Sequence, residues 1–190
     1  MSFLGIGKNR RADAGAIALQ STADGLTGEL EKVRISPTFV SAYVSPHIDI
    51  DQVARVLTSR FPGVPMMICS TAGELHAHGD RLYCPTGNRW DRVVVQCFDS
   101  SVIAAAEVVS VPLGCEDLRR ESIGTSLNDR VGRLSKSIAG LKVNMEIDYR
   151  NTLAYVLFDG LSASESFFME ALYDSGRFPC LFVGGSAGGS

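Results

Sequence analysis

Residues 38–74 read TFVSAYVSPHIDIDQVARVLTSRFPGVPMMICSTAGE, and this stretch decides the fold class. Thr38–Val44 is β-branched and aromatic, the composition of a strand. Asp49 stands where a helix cap is wanted, with Gln52 at the capping-box position. Ile50, Val53, Leu57 and Phe61 then fall on one helical face. Pro62-Gly63 stops the helix, and Val64–Cys69 is a second strand of buried character. Strand, helix and strand in succession call for an α/β domain.

Working outward gives the same alternation. Ala12, Ala16, Leu19, Ala23, Leu26, Leu30 and Val33 recur at spacings of four and three. That predicts a helix from about Arg11 to Lys32, weakened by Gly15, Gly25 and Gly28. Downstream, a polar and glycine-rich stretch leads to two strands, Arg92–Phe98 and Val102–Val109. Only Asp99-Ser100-Ser101 joins them, which predicts a central antiparallel hairpin. Ser110–Asp117 reads as a linker. A helix follows from about Leu118 to Leu141, with Ile123, Leu127, Leu134, Ile138 and Leu141 facing inward. Thr152–Phe158 is a further strand. Ser162-Ala-Ser-Glu165 is a capping box opening a helix to about Tyr173, and Cys180–Val183 is the last strand. The expected class is α/β, a mixed β-sheet layered with helices. The chain stops in Gly-Gly-Ser-Ala-Gly-Gly-Ser soon after that strand. Residues 1–190 are therefore expected to be one domain, the N-terminal part of a larger two-domain protein. A flexible Gly/Ser tail is the other reading.

Composition excludes some functions. Of 190 residues, 45% are apolar, and the net charge is −3. Intrinsic disorder is excluded by the apolar content. The charge argues against nucleic-acid binding through a basic face. A bilayer span takes about 20 apolar residues, whereas Leu153–Phe158 is a short run, so no membrane insertion is expected. Lys8, Arg10 and Arg11 follow the apolar Phe3–Ile6 instead of preceding it, unlike a secretory signal. A cytoplasmic location is expected. The five cysteines agree, being odd in number and without a C-x-x-C.

Two strand-to-turn units stand out. Pro65–Cys69 runs into Ser70-Thr71-Ala72-Gly73-Glu74, and Pro179–Val183 runs into Gly184-Gly185-Ser186-Ala187-Gly188. Each ends in a hydroxyl residue followed by Ala-Gly. Small residues after a strand let the backbone turn and present its N–H groups. In open α/β sheets, ligands bind beyond the carboxyl ends of strands. The units are either two walls of a small-molecule pocket or two tight packing connections.

Met67-Ile68-Cys69-Ser70-Thr71-Ala72-Gly73-Glu74-Leu75 resembles the G-C-S-T-A-G-E-I signature of the FIST family. Phe182–Gly188 resembles that family's G-G-S-A-G-D segment. Val93–Phe98 and Leu157–Gly160 are similar to parts of its N-terminal domain. The resemblance runs from about Thr38 to the end. Ile68 replaces a commoner glycine, and Gly189 replaces an aspartate, which removes any anionic role there. The resemblance implies a cytoplasmic, non-catalytic sensory domain of bacterial signal transduction. It implies a small ligand, amino acids among the candidates, and a partner histidine kinase or cyclic-di-GMP enzyme. One branch implies haem and nitric oxide sensing. The companion C-terminal domain of the family is absent from residues 1–190. The ligand-binding residues implied are Ser70, Thr71, Ala72, Gly73, Glu74, Gly185 and Ser186.

Haem requires an axial ligand and an apolar slot. Without C-x-x-C-H, covalent attachment is excluded. His47, between a strand end and a helix start, is the axial candidate, with Asp49 able to orient it. A solvated loop histidine is the plainer alternative. Cys69 is a second candidate, or an inert buried thiol. Glu74, His76, His78 and Asp80 occupy alternate positions. They are either a divalent metal set on one face of a strand or the outer face of an edge strand over Leu75 and Ala77. Nucleophile-elbow, P-loop, dinucleotide and zinc-protease motifs are missing. Ser70 and Thr71 suit hydroxyl donation to a ligand better than catalysis. Asp159, Gly160 and Ser162 stand at another strand's carboxyl end and can line the same pocket or simply cap a helix.

A small-ligand sensor is thus the first expectation, with haem-based nitric oxide sensing through His47 as its sharper form. A haem-free amino-acid binder is the alternative, and a metal-dependent enzyme using His76 and His78 is a third.

Overall fold

The computed structural model describes residues 15–78, 81–83, 89–113, 127–160, 162 and 164–188. Its elements are β1 (Ala16–Ser21), α1 (Leu26–Leu30), β2 (Pro37–Val44), α2 (Ile50–Arg60), β3 (Met66–Ser70), β4 (Leu75–His78), β5 (Arg81–Tyr83), β6 (Val93–Asp99), α3 (Leu127–Ala139), β7 (Leu153–Asp159), α4 (Glu165–Asp174) and β8 (Leu181–Ala187). The class is α/β with a mixed sheet, as the alternation of elements predicts.

The larger sheet has the order β1-β6-β2-β3. β2 and β3 run parallel, from Val40 opposite Met66 to Val44 opposite Ser70. β6 lies antiparallel to both β1 and β2. α2 forms where the sequence places it. The Asp49 carboxylate accepts hydrogen bonds from the Asp51 and Gln52 amides at 2.9 and 3.2 Å, a cap contributing about 1 kcal/mol. Val53, Leu57 and Phe61 pack under the sheet against Val40, Ala42, Val44, Val93, Val95 and Cys97. Each such side chain contributes about 1.5–3 kcal/mol through burial. Arg60 ties the end of α2 to the Leu30 and Val33 carbonyls beyond α1.

A second parallel pair, β7 and β8, runs in register from Leu153–Leu181 to Asp159–Ala187. α3 and α4 cover one face of it. Leu134 and Ile138 of α3, Phe168, Ala171 and Leu172 of α4, and Phe158 of β7 form a second core. The Phe158 and Phe168 rings meet edge to face at 5.3 Å. A small antiparallel ribbon, β4 and β5, is inserted in sequence between β3 and β6 of the larger sheet.

Four expectations are corrected. The helix from Arg11 to Lys32 is strand β1 followed by the short α1, its first residues lying outside the described ones. β1 is a strand because β6 offers it a complete ladder, from Ala16–Phe98 to Ser21–Val93. Residues 102–109 form no strand, so the hairpin with Arg92–Phe98 is absent; β6 has both edges filled by β1 and β2. The last strand does not turn at Val183 but continues through Gly184, Gly185 and Ser186 to Ala187. The cap of α4 is Ser164, not Ser162, and it makes no side-chain cap bond. Of the expected helix from Leu118, residues 127–139 are helical and 118–126 lie outside the described residues. Among the described residues no helix is long and apolar enough to cross a membrane.

Candidate ligand site

Both parallel pairs are strand–helix–strand units, and the expected site residues sit at their carboxyl ends. At the first unit, β3 ends at Ser70 and the Thr71 amide donates to the Val44 carbonyl at 2.9 Å. The chain then turns so that Glu74 is buried, with 2% of it exposed. The Ser45 hydroxyl lies 3.1 Å from both Glu74 carboxylate oxygens, and the Thr71 hydroxyl donates to Oε1 at 2.9 Å. Ser45 Oγ also accepts from the Arg92 amide at 3.2 Å, and the Ser45 amide donates to the Arg92 carbonyl. Thr71 and Glu74 therefore bond to each other and to the end of β2. Ala72 and Gly73 are exposed, and Ser70 is half-buried. Ser45 and Arg92 were not singled out by sequence; Ser45 is the first residue past a strand, a position whose side-chain role needs the partner strand's location.

The carboxyl end of the second unit is built differently. The Gly160 amide donates to the Ala187 carbonyl and the Ser162 amide to the Asp159 carbonyl, both at 2.9 Å. Ser164 turns its hydroxyl back to the Ser162 carbonyl. The first-turn amides of a helix have no intrahelical acceptor. At α4 the N-cap residue Ser164 gives them no side-chain bond, and of these amides the Glu165 carboxylate takes only its own. Ser186 donates its hydroxyl to Glu165 Oε1 at 2.7 Å. That bond, then the backbone amide of Glu165 itself, holds its carboxyl below the ordinary range against the nearby Asp159 charge. Ser162 is 2% exposed, and its hydroxyl is buried with no hydrogen-bond partner among the described residues. Gly185 and Ser186 are exposed on β8. Backbone approach is tightest at Gly184, at φ 152°, where a Cβ would collide with the Val156 carbonyl oxygen.

The two halves touch through tyrosines. Tyr43 of β2 and Tyr155 of β7 place their hydroxyls 2.9 Å apart. Desolvation and the Tyr43 hydrogen bond push the Tyr155 hydroxyl far up. Burial raises the Cys69 thiol too, which keeps it protonated and disfavours it as a thiolate ligand.

His47 lies exposed in the loop between β2 and α2. Asp49 beside it caps α2 and faces Arg55 at 3.7 Å. Neither of two surface clefts, one at the start of β3 and one along α2, is lined by His47. Glu74, expected to share a row with His76, is turned inward, while Leu75 is 76% exposed. His76 is half-buried on β4; the side chain of His78 and residue Asp80 lie outside the described residues. Among the described residues, no group of three His, Cys, Asp or Glu side chains could hold a metal ion.

A family model described as the FIST N domain matches residues 38–190. No curated protein and no solved structure matched the chain.

Proposed function

The chain belongs to the FIST family, a sensory family of signal transduction, and we propose that it is an input domain that binds a small zwitterion of the amino-acid class. The carrying observation is the buried Ser162 hydroxyl without a partner, beside the uncapped start of α4. A carboxylate there would take the first-turn amides of α4 that follow Glu165, whose own amide its side chain holds, and the Ser162 hydroxyl, the arrangement by which helix N-termini bind anions. An ammonium would meet the Glu165 carboxylate, with the Asp159 charge adding to the same field. Ser186, bonded to Glu165, would carry occupancy from α4 to β8. Gly185 and Ser186 thus keep the ligand-side role inferred from the family segment. The Thr71–Glu74 turn would act as the fixed floor of the first unit and would not grip the ligand itself. The output would be altered contact with a partner histidine kinase or cyclic-di-GMP enzyme, in the cytoplasm, with no reaction performed by the domain.

The test is thermal unfolding with each of the twenty amino acids in turn. At least one stabilises the wild-type protein; at a hundredfold excess over Kd the gain is about 2.7 kcal/mol. Ser162→Ala and Glu165→Gln lose that gain. Ser162→Ala does so without destabilising the unliganded fold, because it deletes a hydroxyl that bonds to nothing. Failure of all twenty, or an undiminished gain in both variants, overturns the proposal. The haem form of the sensor is tested separately: a Soret band that shifts with nitric oxide and vanishes in His47→Ala supports it, and no band after haem is supplied removes it.

A further inference from the structure

An open cleft of about 580 Å³ lies at the amino end of β3, away from the corners described above. Its volume falls within the range of small-molecule sites, about 300–1,000 Å³. One wall comes from the β3 approach: Val64, Pro65 and Met66, all half-buried. The other comes from the segment expected to be a strand, where Val108 is 48% exposed. That segment forms no ladder and is held instead by Glu107. The Glu107 carboxylate accepts from the Asn144 amide and side-chain nitrogen, each at 2.8 Å, and from the Met145 amide at 3.3 Å.

We propose that this cleft binds a small amphiphilic carboxylate, with the apolar body between Val108 and the Val64–Met66 wall and the head group on Lys142. The two lining charges cancel, so unused hydrogen-bonding capacity selects the sign of the ligand. Two charged residues line the cleft, Glu107 and Lys142. Three donors already compensate Glu107. Lys142 has no partner among the described residues and is the one basic side chain lining the cleft. An anionic head group therefore gains a charge-assisted hydrogen bond, while an ammonium would face Lys142 itself. An apolar body covers valine and methionine surface now open to water, which is favourable in proportion to its area. Bound there, the ligand would bridge the end of α2 and the strap carrying Glu107. None of this depends on the zwitterion site.

Calorimetric titration of the whole chain with trans-cinnamate tests it. Cinnamate binds saturably and cinnamylammonium does not. Lys142→Glu weakens cinnamate by about tenfold or more, the equivalent of one charge-assisted contact. Val108→Trp fills the cleft and removes binding, its fold checked by circular dichroism. Lys32→Glu, the same charge change at a surface pair with Glu29, leaves the affinity unaltered. No saturable binding, equal binding of the ammonium, or unchanged affinity in either cleft variant overturns the proposal.

Discussion

β2–α2–β3 and β7–α4–β8 are the same device built twice, a parallel pair joined through a helix, and they differ at one end. In the first, Asp49 caps the helix and the turn beyond β3 is closed on itself by Glu74, Ser45 and Thr71. In the second, the N-cap residue Ser164 makes no side-chain cap bond and, among the described residues, the neighbouring Ser162 hydroxyl is buried without a partner. Buried polar groups in folded proteins are nearly always paired. The first corner closes its hydroxyls and carboxylate on one another, with Arg92 Nε the one buried atom beside it left without a hydrogen-bond partner among the described residues. At the second, the Ser162 hydroxyl is the atom so left. If the proposed zwitterion site holds, two related strand–turn segments in one chain serve as scaffold and receptor.

The sharpest way to break the comparison is at Gly184. Its φ of 152° and the Val156 carbonyl beneath it leave no room for a Cβ. Gly184→Ala is expected to cost about 3 kcal/mol or more, read as a lower urea midpoint, whereas Gly185→Ala, with open space around it, shifts that midpoint far less. Next comes the closed corner. Glu74→Ala strands the Ser45 and Thr71 hydroxyls in the interior and should cost about 2–3 kcal/mol. Glu74→Gln, which keeps an acceptor oxygen, recovers part of it in the same unfolding measurement. Smallest is a pH effect at the open corner. Glu165 titrates below its ordinary value when folded, held first by Ser186. Its contribution is therefore present above the unfolded carboxyl range and is lost as pH falls through the folded value. Ser186→Ala should reduce that acid-side loss in a melting-temperature profile. Glu165 is almost fully solvated, so the difference will be small.

Much of the first unit was legible from residues 38–74, because its signals are local. A cap at Asp49, an apolar stripe to Phe61 and Pro62-Gly63 all act within one helix length. β7 and α4 were legible for the same reason. β1 was not: Ala16 and Leu19 fit a helical stripe, and only a strand some eighty residues later overrules it. Val102–Val109 fails the other way, being strand-like in composition but left without a ladder, since β6 pairs on both edges. At the site, Thr71 and Glu74 could be picked out as residues but not as partners of each other. The side-chain row through Glu74 and His76 assumed an extended chain, whereas the turn buries the carboxylate and leaves Leu75 outside. Gly184–Ser186 reads as a turn from composition alone; the Val156 backbone beside it explains why glycine stands in a strand there.

The register of the first sheet also has a history written into it. Ala16 pairs with Phe98 and Ser21 with Val93, so a ribosome must deliver all of residues 22–92 after β1 before that strand finds its neighbour. β2, α2 and β3 can assemble meanwhile, but their sheet stays unfinished on one side until β6 emerges. Closing so long a loop is slow, and during synthesis β1 waits for its place.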